Sequence, residues 1–442
     1  MRPLIIVLDD DPTGSQTVHS CLLLTQWDKD TLRLGIKDAS PLFFVLTNTR
    51  AVPPDRAAEI TREVCQNLRA VLAEEGVENF LIVSRSDSTL RGHYPIETDV
   101  IAAELGNFDA HFLVPAFLEG GRFTENSTHY LIVDGVPTPT HLTEFARDSV
   151  FGYTTSYLPD YVAEKTKGRI LAQQVERFLL NDIRSGVTER LRQLSHNTCV
   201  VVDAKEQTDL DRFAQDLLTV SSEGKRFLCR SAASLLTALA QLPPQPIAPE
   251  AMGRDVKTAG AVIVGSHVSK TTTQLQPLLA LDTIKPIEVE VKQLLNNQFA
   301  DLEQKVLEQV HQAHSSGLTP VIYTSREELT FPDLAERLSF GALVSDLLMA
   351  IVQGLPKDLG FLISKGGITS NDVLSKGLSL RSVRLLGQIL PGVSVVKTEA
   401  DHPRFPNLPV VLFPGNVGDR DSLVIVYQRL SACLNSPEPR AE

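Results

Sequence analysis

Short, mainly apolar runs recur through the first half of the chain, at 4–8, 42–46, 80–83, 111–114 and 199–202, with amphipathic stretches between them. Each is continuous rather than alternating, which suits strands buried on both faces of a parallel sheet and is too short for a helix. Between the second and third runs, Ile60, Val64, Leu68 and Leu72 recur every four residues after Pro53-Pro54, predicting an amphipathic helix with prolines at its entry. Strand and helix in alternation is the pattern of βαβ units. It lapses near 241, where "QLPPQPIAPEAMGRDVKTAG" has four prolines in its first nine residues and no period, so 241–258 reads as a linker. A second series follows, at 260–264, 286–290, 320–324, 361–364 and 409–413. The expected fold is α/β: two three-layer α/β domains with mainly parallel sheets, at 1–240 and 259–435. The polar tail "NSPEPRAE" is expected to fray.

Length supports that division, since 442 residues exceed what a single hydrophobic core organises. Hydrophobic residues at 43% and charged residues at 22% are ordinary for a globular protein. A net charge of −12 argues against non-specific nucleic-acid binding, which needs clustered Lys and Arg to replace counterions. Any anionic ligand must be held by local groups. The five cysteines, at 21, 65, 199, 229 and 433, form no C-x-x-C pair and suggest neither a disulfide framework nor a zinc site. No apolar run approaches the ~20 residues of a membrane span, nor the core of a signal peptide, so a cytoplasmic protein is expected. His311 and His314 share a helix face without an acidic or Cys partner at ligand spacing and are read as solvent-exposed.

Chemistry enters at the strand ends, because ligands of open α/β sheets bind at the carboxyl ends of strands. The first run stops at Asp9-Asp10-Asp11-Pro12-Thr13-Gly14, and three adjacent anions repel one another. In a wet loop they would do nothing; at a strand end they have a use. The next ends carry Thr47-Asn48-Thr49-Arg50, then Ser84 through Gly92 with Asp87, Ser88, Thr89 and Arg91, then Pro115-Ala116 with Gly121-Arg122. Carboxylates, hydroxyls and guanidinium groups on one edge suit a small, polyhydroxylated, anionic ligand. Arg50 and Arg91, cations at neighbouring strand ends with few other duties, are expected to take its carboxylate. Taken singly, each Arg could merely neutralise nearby surface acids; three at strand ends favour a site.

In the second series, "VIVGSHVSKTTTQ" (262–274), "LISKGGITSND" (362–372) and "VLFPGNVGDRDS" (411–422) each read as strand, Gly-containing turn and helix start. That geometry presents backbone N–H groups to phosphate. A Walker-type loop is excluded, since Val264 and Ser269 stand where it needs glycines before Lys270-Thr271. Asp9-x-Asp11-x-Thr13 also fits the haloacid-dehalogenase nucleophile pattern. Gly14 then stands where that family has an apolar residue, and the later motifs would have to cross the linker.

Read together, these strand ends closely resemble the four-carbon acid sugar kinase family over nearly the whole chain. Asp10, Asp11, Thr13 and Gly14 match its opening motif, Thr49-Arg50 its Ser-Arg element, and residues 87–92 its Asp-Ser-Thr-Leu-Arg-Gly motif in full. "VPAFLEGGR" (114–122), Gly265-Ser266 with Gln274, Gly366-Gly367-Ile368-Thr369 and Gly415-Asn416-Val417-Gly418 match further segments. The resemblance implies an N-terminal sugar-acid-binding domain, a C-terminal ATP-binding domain and an active site in the cleft between them. It implies phosphorylation of threonate, erythronate or 3-oxo-tetronate, with Mg²⁺ bridging the phosphates. Asp87, then Asp11, are the expected catalytic residues; Asp10, Thr13, Arg50, Ser88, Thr89, Arg91 and Arg122 the substrate-binding ones; Ser266, Gly366, Gly367, Ile368, Thr369, Gly415, Asn416, Val417 and Gly418 the nucleotide-binding ones. Metal ligands are not assigned. Pro12, Arg85 and Ile368 depart from the family pattern, which leaves the substrate open. A phosphohydrolase of the haloacid-dehalogenase type and a non-catalytic sugar-acid and nucleotide sensor are the alternatives. Neither nucleic acid nor membrane is an expected partner, and a homodimer is the one assembly considered.

Overall fold

The computed structural model describes residues 2–254, 258–266, 268–296, 298–326, 329–332 and 334–431. The chain divides into two units, Met1–Pro243 and Pro244–Glu442, each an α/β fold. The predicted tail lies outside the described residues.

The first unit contains β1 (Leu4–Asp9), β2 (Leu22–Leu24), β3 (Leu42–Leu46), β4 (Phe80–Arg85), β5 (Ala110–Val114), β6 (Arg122–Glu125), β7 (Thr128–Val133), β8 (Val136–Pro139), β9 (Glu176–Phe178), β10 (Thr198–Val202) and β11 (Phe227–Ser231). Eight of these pair in parallel in the order β2-β3-β1-β4-β11-β5-β10-β9. β6, β7 and β8 form a small antiparallel sheet of their own. Alternation puts Ile6, Leu8, Phe43, Val45, Ile82 and Leu228 on one face, packed with Val64, Leu68 and Leu72 of the helix Pro54–Glu74. Phe112 lies toward the other face, where its ring meets Phe213 of the helix Gln207–Ser222 and Phe227 of β11 edge-on, each at 5.4 Å. Each such side chain, fully buried, contributes about 1.5–3 kcal/mol. The predicted helix has Pro53 as its N-cap and Pro54 in its first turn.

The second unit contains β12 (Ala261–Val264), β13 (Ile284–Val289), β14 (Thr319–Thr324), β15 (Leu362–Lys365), β16 (Ser382–Leu390), β17 (Val393–Lys397) and β18 (Pro409–Phe413). Their order is β13-β14-β12-β15-β18-β17-β16; the five predicted strands are parallel, and β17 runs antiparallel to both its neighbours. Val262, Val264, Ile363, Val411 and Phe413 pack with Leu275 and Leu278 of the helix Ser269–Leu279. From Pro244 onward the predicted linker goes with this unit: Gln245 donates to Ile247 O and Gln388 O, and Met252 is buried in the core. One correction falls here. His314 is not free in solvent, because its Nε2 lies 2.9 Å from Asp358 Oδ1, whereas His311 is exposed.

Candidate functional site

In the first unit β3, β1, β4 and β11 are adjacent and parallel, so their carboxyl ends bring the predicted polar clusters together. Asp9, level with Leu46 and Arg85, is fully buried. Its Oδ1 accepts from Asp11 N at 3.2 Å and Arg85 Nη1 at 3.3 Å, while Oδ2 has no hydrogen-bond partner. Gly14 packs so closely that a Cβ there would overlap both Asp9 oxygens. Arg50 grips Asp10 through Nη2 (2.5 Å) and Nε (3.3 Å), Asp11 through Nη1 (3.1 Å), and stands 3.7 Å from Asp87. Asp11 also caps the turn Pro12–Ser15 by accepting from Thr13 N and Oγ1. Asp87 accepts from Arg91 Nε at 3.0 Å and Nη2 at 3.4 Å, from Thr89 N at 3.1 Å and from the Thr89 hydroxyl. Three consecutive carboxylates are therefore tolerable because arginines from β4 and from the loop after β3 are interleaved with them.

The consequences for charge differ from residue to residue. Burial lifts the Asp9 carboxyl to about 7, with Arg85 opposing and Asp10 and Asp11 adding to the rise. At Asp87 burial acts in the same sense, but Arg91, Arg50 and the Thr89 hydroxyl outweigh it and hold the carboxyl far below its ordinary range. At Asp11, too, burial is outweighed, by Arg50, Arg85 and Thr13, and the pKa is lowered.

One expectation needs correcting. Arg50 and Arg91 are not cations with few duties: both forks are occupied by Asp10, Asp11 and Asp87, and Arg91 also lies 3.7 Å from Asp148. Asp87 pairs with Arg91, and the helix that follows starts only at Ile96. Arg122 is different. At the start of β6, with 8% exposure, it donates to Gly120 O and lies 5.7 Å over the Phe117 ring, while its Nε has no partner. Among the described residues it forms no ion pair, and burial lowers its pKa, with Asp87 and Arg91 the charges acting on it. Ser88 is nearly buried, and the hydroxyls of Thr13 and Thr89 are bonded to Asp11 and Asp87.

Beneath these residues lies a buried network that the sequence did not announce. Arg230 donates to Glu97 at 2.6 Å and to Ser84 and Ser86 at 2.7 Å, and Ser86 donates to Asp10 at 2.9 Å. Gly92, at φ +117°, is required there, because a Cβ would lie 2.5 Å from Ser86 Oγ and 2.7 Å from Arg230 Nη2. The signal that could have found Arg230 is its place in "FLCRSAAS" (227–234), an apolar run interrupted by the very residue of interest.

In the second unit three turns meet. Thr271 Oγ1 lies 3.1 Å from Ser266 Oγ and donates to Gly415 O at 3.3 Å, and Gly366 N donates to Phe413 O at 2.9 Å. Gly366, at φ +117°, approaches Ser266 so closely that a Cβ would lie 2.9 Å from the Ser266 Cβ. Gln274 ties Val417 O and Asp419 O at 3.0 and 2.8 Å. Thr369 packs against Gly265, Gly367 opens the short helix Gly367–Asp372, Ile368 is 58% exposed, and Asn416 and Gly418 are exposed. Lys365, which could be fitted to a later motif of the haloacid-dehalogenase alternative, is fully buried; it donates to Pro414 O, and burial, with Lys270 adding, pushes its pKa down to about 7.

The haloacid-dehalogenase arrangement is not realised, since a nucleophile must reach a phosphorus atom and Asp9 is wholly enclosed. Among the described residues no group of three or more His, Cys, Asp or Glu is arranged to hold a metal ion, and no helix is long and apolar enough to cross a membrane.

Comparison with known proteins finds relatives over nearly the whole chain. Residues 5–239 match the family described as a sugar-binding N-terminal domain, and residues 261–423 that described as a nucleotide-binding C-terminal domain. The chain is 24% identical over 457 residues to a D-erythronate kinase of Heliobacterium modesticaldum, covering 95% of each. Among solved structures, a Haemophilus influenzae protein superposes with a TM-score of 0.62 at 17% identity, over 96% of this chain and 100% of that one. A Salmonella typhimurium LT2 protein gives 0.67 at 18% identity, over 96% and 98%. At such identities these structures speak for the fold.

Proposed function

Because the chain belongs to the four-carbon acid sugar kinase family, whose sugar-binding and nucleotide-binding domains it matches in turn, we propose that it phosphorylates a hydroxyl of a four-carbon sugar acid with ATP. D-Erythronate, threonate and 3-oxo-tetronate are the candidate substrates, and the cytoplasm is the proposed place of action. The observation that carries the reading is Arg122: a guanidinium with 8% exposure and no carboxylate partner among the described residues is a ready partner for the carboxylate of an acid. Asp10, Asp11, Ser88 and Asp87 would receive the hydroxyls, and Arg50 and Arg91 would hold those carboxylates in place.

In the transfer, a bond forms between the acceptor oxygen and the γ-phosphorus, the bond from that phosphorus to the ADP oxygen breaks, and the hydroxyl proton must leave. Asp87 is too weakly basic to remove that proton beforehand, so its contribution is to align the hydroxyl and to accept the proton as the oxygen–phosphorus bond forms. Asp11 is the second candidate. ATP would sit in the second unit: glycines at 366 and 415, where a Cβ would press on Ser266, let these turns pack on the Gly265-Ser266 turn, and their backbone N–H groups would serve phosphate. Ser266, Gly366, Gly367, Ile368, Thr369 and the 415–418 turn would hold it. Mg²⁺ in phosphoryl transfer is held chiefly by the phosphates with one or two carboxylates, and supplies charge neutralisation there; no protein metal centre is assigned.

The test is a coupled ADP-release screen over four-carbon sugar acids, with and without Mg²⁺. Acid-dependent ADP release is expected. ADP release without any acid, or phosphate release from phosphorylated acids, would contradict the reading.

A further inference from the structure

Four consecutive carbonyls of the loop after β4 each lie within hydrogen-bond distance of a side-chain donor group, and three have a donor of their own, since the single Ser86 hydroxyl proton is shared with Asp10. Ser88 O lies 2.8 Å from His129 Nε2, Thr89 O 2.8 Å from Tyr153 OH, Leu90 O 2.8 Å from Tyr161 OH, and Arg91 O 3.0 Å from Ser86 Oγ. Ser86 belongs to the same segment. The other three come from a separate stretch of chain: His129 from β7, Tyr161 from the helix Leu158–Lys165, and Tyr153 from the loop between them. Loop carbonyls mostly find water or backbone partners. Here buried side chains from one insertion serve three successive peptides of the motif that carries Asp87 and Arg91.

None of these donors can be lost by titration near neutrality. Burial pushes His129 down to about 4, so it is neutral; Ser88 O can only accept, which places the proton on Nε2, and Nδ1 lies 2.9 Å from Thr124 Oγ1. Burial lifts Tyr153 to about 12 and Tyr161 well above the usual phenol range. Their rings meet edge-to-face at 5.7 Å, so each aims the other. The loop needs this support, for Leu90 sits at φ +65°, a conformation that apolar residues rarely adopt unaided.

We propose that His129, Tyr153 and Tyr161 are positioning residues of the acceptor site, a clamp that fixes the peptide planes at 88–90 and through them the placing of Asp87 and Arg91. The proposal rests on the kinase reading for the identity of the reacting groups. A clamp released at one point lets a peptide turn, and a displacement of about 1 Å at the reacting groups can cost ~10²-fold in rate.

The test is made on the full chain with Tyr153→Phe and Tyr161→Phe, which keep the rings and remove the donors. The expected result is a fall in kcat for the sugar acid of ~10-fold or more in each variant, an unchanged KM for ATP, and faster hydrogen exchange confined to a peptide covering 86–93. Wild-type kcat and acid KM despite faster loop exchange would overturn the proposal, as would unchanged exchange in that peptide. A loss shared by both substrates, together with a lowered Tm, would mean general stabilisation rather than positioning. If the wild-type chain phosphorylates none of the acids, the kinase reading fails, while the exchange arm still decides whether the clamp exists.

Discussion

Arg122→Gln should weaken catalysis without weakening the fold, a combination that a structural arginine cannot give. The guanidinium has 8% exposure, an orphaned Nε and no ion pair among the described residues. Enclosing a cation that has no ion pair of its own costs several kcal/mol even after relaxation, so its removal should leave Tm unchanged or raised when no acid is present. If Arg122 binds the substrate carboxylate, the variant loses a charge-assisted hydrogen bond of about 1.5–3 kcal/mol, which is roughly 10- to 150-fold in kcat/KM. The control is the four-carbon polyol, which lacks the carboxylate. The assay compares kcat/KM for acid and polyol in both proteins, with the KM for ATP alongside. The preference for acid over polyol should shrink by that factor, and the rise in Tm that the acid gives the wild type should be largely lost. Equal losses for acid and polyol, or a fall in Tm without ligand, would show that Arg122 does not bind the carboxylate.

Other expectations follow from the same geometry. Asp87→Asn should lower kcat by ~10²–10⁴-fold while the acid still raises the variant's Tm; near-wild-type kcat in a folded variant would pass the role to Asp11. Gly366→Ala puts a side chain at φ +117° against Ser266, so calorimetry should show weakened ATP binding with acid binding unchanged. Asp9 is lifted from 3.8 to about 7 by burial, so the folded state holds its proton more tightly than the unfolded chain does. Its contribution to stability is present below pH ~4 and declines as pH rises toward ~7. Asp9→Asn should therefore raise Tm relative to wild type at pH 8 but not at pH 3.5, and a difference independent of pH would exclude the linkage.

The parallel strands that position both sites were legible because each is an unbroken apolar run, as in Leu4–Asp9 and Leu42–Leu46. β11 was not, since Arg230 interrupts it; β2 and β9 have three residues each; and β16 alternates buried with half-buried positions, as a strand covered on one face does. Strand ends named the acids and arginines of the candidate site, but not their pairing. Arg50 meets Asp10 because β1 and β3 are neighbours in register, and nothing within either segment says so. For the same reason the isolation of Arg122 and the clamp from His129, Tyr153 and Tyr161 appear only once distant segments are folded together.

Phosphoryl transfer itself is seen most directly by phosphorus NMR of the full chain incubated with ATP, Mg²⁺ and D-erythronate. A new phosphomonoester resonance should grow in step with ADP, depend on the acid, and be nearly absent in Asp87→Asn. Growth of inorganic phosphate alone, or no change with any four-carbon sugar acid, would contradict the account.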